Sequence, residues 1–242
     1  MSARLWIIFG VIAGVVILAV VAFANGWITV GGGDNGGKSS INLDTANLDY
    51  KKVITAADIP DSYSGDKALL ADHVAGKADS KVVYVEWMNH QCSACYSTAP
   101  TIREIMEAYG DRVAFVWRYL KLSDHPNGMA SAVAAEAAAR QGKFYEMSDA
   151  LLINQPKWGT ASASEREDIF AGYATELGLD INQWRQDYKN YKDNGIEEHI
   201  NFQNDLGIKS GVTYTPYIII NGEVVKGNKD ELTAAIKKAL GE

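Results

Sequence analysis

The chain has 242 residues, 47% hydrophobic and 22% charged, with a formal net charge of −7, the proportions of an ordinary globular protein with room for one or two domains. An acidic balance with no cluster of Lys and Arg interleaved with aromatics excludes a nucleic-acid-binding surface. The apolar fraction excludes disorder over most of the length.

From Leu5 to Ala24 run about 20 apolar or small residues without a charge, roughly 30 Å of helix, which matches the hydrocarbon core of a bilayer. A transmembrane anchor is predicted over 5–24. Arg4 before it, Trp6 and Trp27 at interfacial positions and Asp34 after it place residues 1–4 in the cytoplasm and the remainder outside. Ala22-Phe23-Ala24 also resembles a signal-peptide cleavage site, but the run is long for a signal peptide, and either reading exports the remainder of the chain. The glycines and serines between Gly31 and Ser40 have little to bury, so 25–47 is predicted to be a flexible linker leading to one folded domain over 48–242.

The domain is expected to open with a short strand around Tyr50–Ile54 and a short helix around Lys67–Ala75. Val82-Val83-Tyr84-Val85 then has the length and β-branched content of a strand covered on both faces. The helix after it carries Ile102, Ile105, Met106 and Tyr109 on one face and ends at Gly110, and Val113–Trp117 gives a second buried strand. Strand, helix and strand with short joints predict a right-handed βαβ unit. From about 124 to 211 strand signals are nearly absent and aromatic and aliphatic stripes recur at helical spacing, which predicts a helical insertion. Tyr217–Ile220, Asn221-Gly222 and Glu223–Val225 predict a tight antiparallel hairpin, and Asn228 is placed to cap a closing helix from Lys229 to Leu240.

The chain's two cysteines, Cys92 and Cys95, lie between the first buried strand and its helix. A pair at this spacing serves as a redox-active dithiol, as half of a metal site or as a structural disulfide. Structural zinc needs four ligands, and the chain has no second Cys pair and no closely spaced pair among His73, His90, His125 and His199, so no metal is predicted. A disulfide across two residues removes little unfolded-state entropy. The helix N-terminus favours a thiolate at Cys92, so Cys92 is expected as the exposed nucleophile and Cys95, one turn further in, as the buried resolving thiol. Glu86, an acid among apolar strand residues, is a candidate to accept or relay the Cys95 proton, against the alternative that it faces solvent or pairs with a lysine. His90 would favour the Cys92 thiolate if its ring turned to the sulfur. Pro100 is expected to kink the helix.

The stretches Val85-Glu86-Trp87, Cys92-Ser93-Ala94-Cys95-Tyr96, Pro100 and Gly211-Val-Thr-Tyr-Thr215-Pro216-Tyr-Ile-Ile-Ile-Asn-Gly222 together resemble the DsbA-like thiol-disulfide oxidoreductases of the thioredoxin superfamily, in a membrane-tethered bacterial form. The resemblance covers roughly 53–240. It implies an α/β thioredoxin-like fold with an inserted helical subdomain, preceded here by the single N-terminal transmembrane helix. It further implies a cis Thr215–Pro216 bond facing the cysteines, with Thr215 offering backbone groups to an extended substrate. Many members carry His or Pro inside the motif; Ser93 and Ala94 stand there instead, and this dipeptide tunes the redox potential. The implied activity is donation of the Cys92–Cys95 disulfide to reduced exported proteins, with no cofactor beyond that disulfide and with a separate membrane oxidase to regenerate it. A reductase or isomerase on the same fold, and a non-catalytic chaperone or adaptor for unfolded chains, are the alternatives.

Overall fold

The computed structural model describes residues 48–242. The predicted anchor over 5–24 and the linker over 25–47 lie outside the described residues. Among the described residues no helix is long and apolar enough to cross a membrane.

A five-stranded sheet organises the domain, in the spatial order β1-β3-β2-β4-β5. Strands β2 (Val83–Met88) and β3 (Ala114–Tyr119) are parallel and joined by helix α1 (Ser93–Tyr109), as the apolar runs predict. β1 (Val74–Gly76) pairs antiparallel with β3. On the other side β4 (Tyr217–Ile220) pairs antiparallel with β2, and β5 (Glu223–Val225) with β4. The hairpin turn places Asn221 at φ 44° and Gly222 at φ 88°, the left-handed region that an Asn-Gly pair tolerates best.

Between β3 and β4 the chain is helical: α2 (Gly128–Ala139), α3 (Phe144–Ile153), α4 (Gln155–Trp158), α5 (Ala163–Glu176), α6 (Ile181–Lys189) and α7 (Ile196–Lys209). Helix α8 (Lys229–Leu240) closes the chain, with the Asn228 side chain accepting from Glu231 N at 3.0 Å.

Every residue of β2 and β3 is buried, because both sheet faces are covered. Alternation along the strands separates two cores. Tyr84, Met88, Phe115, Trp117 and Tyr119 face α1 and the helical insertion. Val83, Val85, Trp87, Ala114 and Val116 face Leu48, Ile54, Ile59 and Leu70 together with Phe202 and Leu206 of α7. Helix α1 buries Cys95, Ala99, Ile102, Ile105 and Tyr109, a stripe at helical period, and its two isoleucines contribute roughly 1.5–3 kcal/mol each. That stripe fixes which way the N-terminus of α1 points.

Two expectations near the start of the domain are corrected. Residues 50–54 form turns rather than a strand, because their polar groups bond elsewhere: Lys52 N donates to Asp49 O and Ile54 N to the Asp72 carboxylate at 2.7 Å. Instead of a helix over 67–75 there is one 3-10 turn, Lys67–Leu70, capped by Asp66. After it Asp72 is held by Arg118 at 2.6 Å, and the chain extends to pair with β3.

Candidate active site

Cys92 occupies the N-cap position of α1, in extended backbone (φ −69°, ψ 123°), and Cys95 lies in the first turn. The register of β2 against β4 brings Trp87 opposite Tyr217, which sets the Thr215–Pro216 segment beside the start of α1. The Thr215–Pro216 bond is cis, and Cys92 Sγ donates to the Thr215 carbonyl at 3.4 Å. The two sequence motifs, 123 positions apart at these residues, therefore meet across one hydrogen bond.

Both cysteines are free thiols, and both are buried, Cys92 to 7% and Cys95 to 2% exposure. The expectation of an exposed Cys92 is corrected: the two thiols differ in the hydrogen bonds they receive and in how strongly burial penalises their charged forms. The Cys95 thiol donating to the Cys92 sulfur is the largest influence on Cys92, opposed by burial and reinforced by Thr215 and by the backbone N–H groups of Cys95 and Ala94. Together they bring the Cys92 pKa down to about 5. Burial pushes the Cys95 thiol well up, and Cys92 and Glu86 push it further. Ser93 and Ala94, between them, are exposed.

Glu86 lies under this pair on the α1 side of β2, 4% exposed, with Oε2 accepting from the Tyr84 hydroxyl at 2.8 Å. Burial raises its pKa to about 7, so solvent exposure, the alternative weighed from sequence, does not hold. His90 is 1% exposed and burial lowers its pKa to about 3, which leaves the ring neutral at neutral pH. A neutral imidazole supplies no charge to a thiolate, and its nearest ring neighbour is Tyr119, centroids 6.0 Å apart. Pro100 lies inside α1 on its exposed side.

Three residues that the sequence did not single out hold the loop before Cys92. Gln155 of α4 donates to the carbonyls of His90 (2.7 Å) and Cys92 (2.9 Å). Gln91 donates to Gly159 O and accepts from Asn127 N. Asn127 in turn donates to the carbonyls of Trp158, Gly159 and Ala161. The helical insertion thus clamps the segment that carries Cys92. Isolated glutamines and asparagines have no spacing signature, so sequence offered no route to them.

A family model described as thioredoxin matches residues 69–238. Among curated proteins, Na(+)/H(+) antiporter NhaA 3 of Salinispora tropica is 35% identical over 173 residues, which is 70% of this chain and 25% of the antiporter. Na(+)/H(+) antiporter NhaA 1 of Salinispora arenicola is 34% identical over 172 residues, with the same shares. The chain spans about a quarter of the length of these curated relatives. Among solved structures, oxidised BdbD from Bacillus subtilis superposes with a TM-score of 0.60 at 22% identity, covering 71% of this chain and 94% of that one. The thiol-disulfide exchange protein alpha-DsbA2 from Wolbachia pipientis gives 0.60 at 20%, covering 70% and 86%. At these identities the likeness is one of fold.

Proposed function

The chain belongs to the thioredoxin family and has a DsbA-like fold, and from that membership and the chemistry at Cys92 we propose that it is a thiol-disulfide oxidoreductase working as an oxidase of exported proteins. The observation that carries the reading is the Cys92 sulfur at the N-cap of α1, with its pKa brought down to about 5 beside the cis Thr215–Pro216 bond. A dithiol whose thiolate is stabilised holds its reduced form well and gives up its disulfide readily, which favours oxidation of substrates.

In the proposed reaction a substrate thiolate attacks Cys92 Sγ, the Cys92–Cys95 bond breaks, and Cys95 leaves as a thiolate. Glu86, protonated over much of the neutral range, supplies a proton to it. A second substrate thiolate then attacks the substrate sulfur of the mixed disulfide and expels Cys92 as a thiolate. The substrate gains a disulfide and loses two electrons, which now reside in the Cys92–Cys95 dithiol. The Thr215 backbone, whose carbonyl lies 3.4 Å from Cys92 Sγ, would pair with an extended substrate strand. No organic cofactor or metal enters these steps. Regeneration requires a separate oxidant, proposed to be a membrane oxidase, and the apolar stretch over 5–24 supports a membrane-tethered domain on the extracytoplasmic side. Ion transport is said of the longer antiporters and is not carried to this chain.

The test is trapping. In Cys95→Ala the lone Cys92 thiolate attacks a disulfide already present in an exported protein and expels one substrate thiolate, and no Cys95 remains to displace the captured chain, so mixed disulfides are expected to accumulate in cells and to disappear on reduction. Their absence from a folded, expressed Cys95→Ala chain counts against the activity. Equilibration of the purified dithiol with glutathione sets the direction: a potential near about −120 mV supports the oxidase, and one near about −270 mV replaces it with a reductase.

A further inference from the structure

A second cluster of ligating side chains lies where the helical insertion meets the β1 edge of the sheet. His73 directly precedes β1, Glu136 comes from α2 and His199 from the first turn of α7. One ligand atom from each lies within 4.8 Å of the others. Nε2 of His73 is 3.0 and 3.2 Å from the two Glu136 oxygens, and Nε2 of His199 is 3.6 Å from Glu136 Oε1.

Three features separate this cluster from an ordinary buried ion pair. Nδ1 of His199 lies 2.6 Å from the Leu69 carbonyl, a contact that requires an N–H, so in the neutral ring the lone pair is on Nε2. That Nε2 has no hydrogen-bond partner although the side chain is only 4% exposed. The Tyr119 hydroxyl donates to Glu136 Oε1 at 2.9 Å, the kind of outer partner that orients a metal-binding carboxylate. A cavity of about 290 Å³ adjoins all three ligands, bounded also by Leu69, Ala139 and Ile196.

We propose that His73, Glu136 and His199 bind one divalent transition-metal ion of the zinc type, with the fourth coordination position turned to the adjoining cavity. Two imidazoles and a carboxylate form a borderline N/O set that suits Zn²⁺. Bonds of about 2.0–2.2 Å put tetrahedral ligands roughly 3.3 Å apart, close to the 3.0 and 3.6 Å already present. Asp72, also at the cavity, is committed to Arg118 and is not the fourth ligand. Arg140 also lines the cavity, with its guanidinium engaged by Asp187 and the Asn194 carbonyl. A bound ion would tie the β1 edge, α2 and α7 at one point. His73 and Glu136 stand 63 positions apart, as do Glu136 and His199, which is why a search for closely spaced ligands passes over them.

The experiment uses the full chain with Cys92 and Cys95 both changed to serine, so that no thiolate takes the metal, titrated with Co²⁺ and with chelator-buffered Zn²⁺. One ion per chain is expected, with the visible cobalt bands of a four- or five-coordinate nitrogen and oxygen site. His73→Gln and Glu136→Gln should each weaken binding by more than about 100-fold, and Tyr119→Phe by about 10–100-fold as an outer partner. His73 is 28% exposed and therefore the substitution best tolerated in folding. Equal affinity in parent and His73→Gln, or no saturable binding in the folded parent, overturns the site and leaves an ion pair. Should neither ligand variant fold, the parent spectrum decides alone: cobalt bands of the six-coordinate aqua type overturn it.

Discussion

Glu86 is a carboxyl group held where water does not reach, and its proton is a folding variable. Burial lifts its pKa from 4.5 to about 7. Between those values the folded chain keeps a proton that the unfolded chain has released. Its contribution to stability is therefore full below about pH 4.5 and declines as pH rises through 7, by roughly 3 kcal/mol in all. Glu86→Gln should flatten that decline and make the protein more stable than wild type at about pH 8, by up to ~3 kcal/mol less the cost of a weakened bond to Tyr84. Urea denaturation of both proteins across this range is the measurement, and curves that stay parallel would show that Glu86 does not titrate there. The same substitution should remove an inflection near neutrality from the pH profile of the proposed disulfide donation. At this scale the two cysteines and the acid near them stand in a local pattern, whereas the cis Thr215–Pro216 bond was expected only through the family resemblance. Gln155, which binds the carbonyl of Cys92 from 63 positions away, was not legible, since nothing local to Gln155 distinguishes it.

Helix α7 shows how an element is fitted to its neighbours. Trp87 of β2 is fully buried and donates through its indole to the Gln203 carbonyl at 3.1 Å, which holds the ring against the middle of the helix. Gly207 makes room for it: a Cβ there would sit 2.5 Å from Trp87 Nε1 and 2.9 Å from Cδ1. A helical glycine to alanine change ordinarily gains about 1 kcal/mol, whereas forcing apart a packed core costs about 1–3 kcal/mol. Gly207→Ala is expected to lose net stability, about 1–2 kcal/mol by the larger of these effects. Gly172 in α5 has nothing within 4 Å of its would-be Cβ, so Gly172→Ala should gain up to about 1 kcal/mol. Thermal unfolding of the two variants should move in opposite directions, and a shared direction would refute the account. The helices, the βαβ unit and the hairpin were readable because period and turn chemistry are properties of short stretches. The one-turn 3-10 segment before β1 was misread as a longer helix because Asp72, Arg118 and the β3 edge act on it from outside.

Across the molecule, one ion pair joins the start of the domain to the sheet. Arg118 of β3 and Asp72 are both fully buried, and Arg118 also donates to the carbonyls of Tyr50 (2.6 Å) and Lys52 (2.7 Å) and lies over Trp87, 4.8 Å from the ring centroid. A pair so enclosed adds little over an apolar replacement of both partners, but removing one strands the other's charge. Arg118→Met should cost about 3–5 kcal/mol, and Arg118→Met with Asp72→Leu should recover part of it. Chemical denaturation decides, and equal losses in the single and double variants would mean that the stranded charge is not the cause. The sequence by itself determined the central strands, the α1 stripe, the hairpin and the dithiol at a helix start, because each depends on periodicity or turn preference within a few residues. Only the tertiary structure decided what surrounds that dithiol: which residues clamp its loop, that Glu86 is buried beneath it, that His90 is an uncharged ring, and that His73, Glu136 and His199 converge. Side chains that meet over 60 or more positions are brought together by packing, and packing is a property of the whole chain.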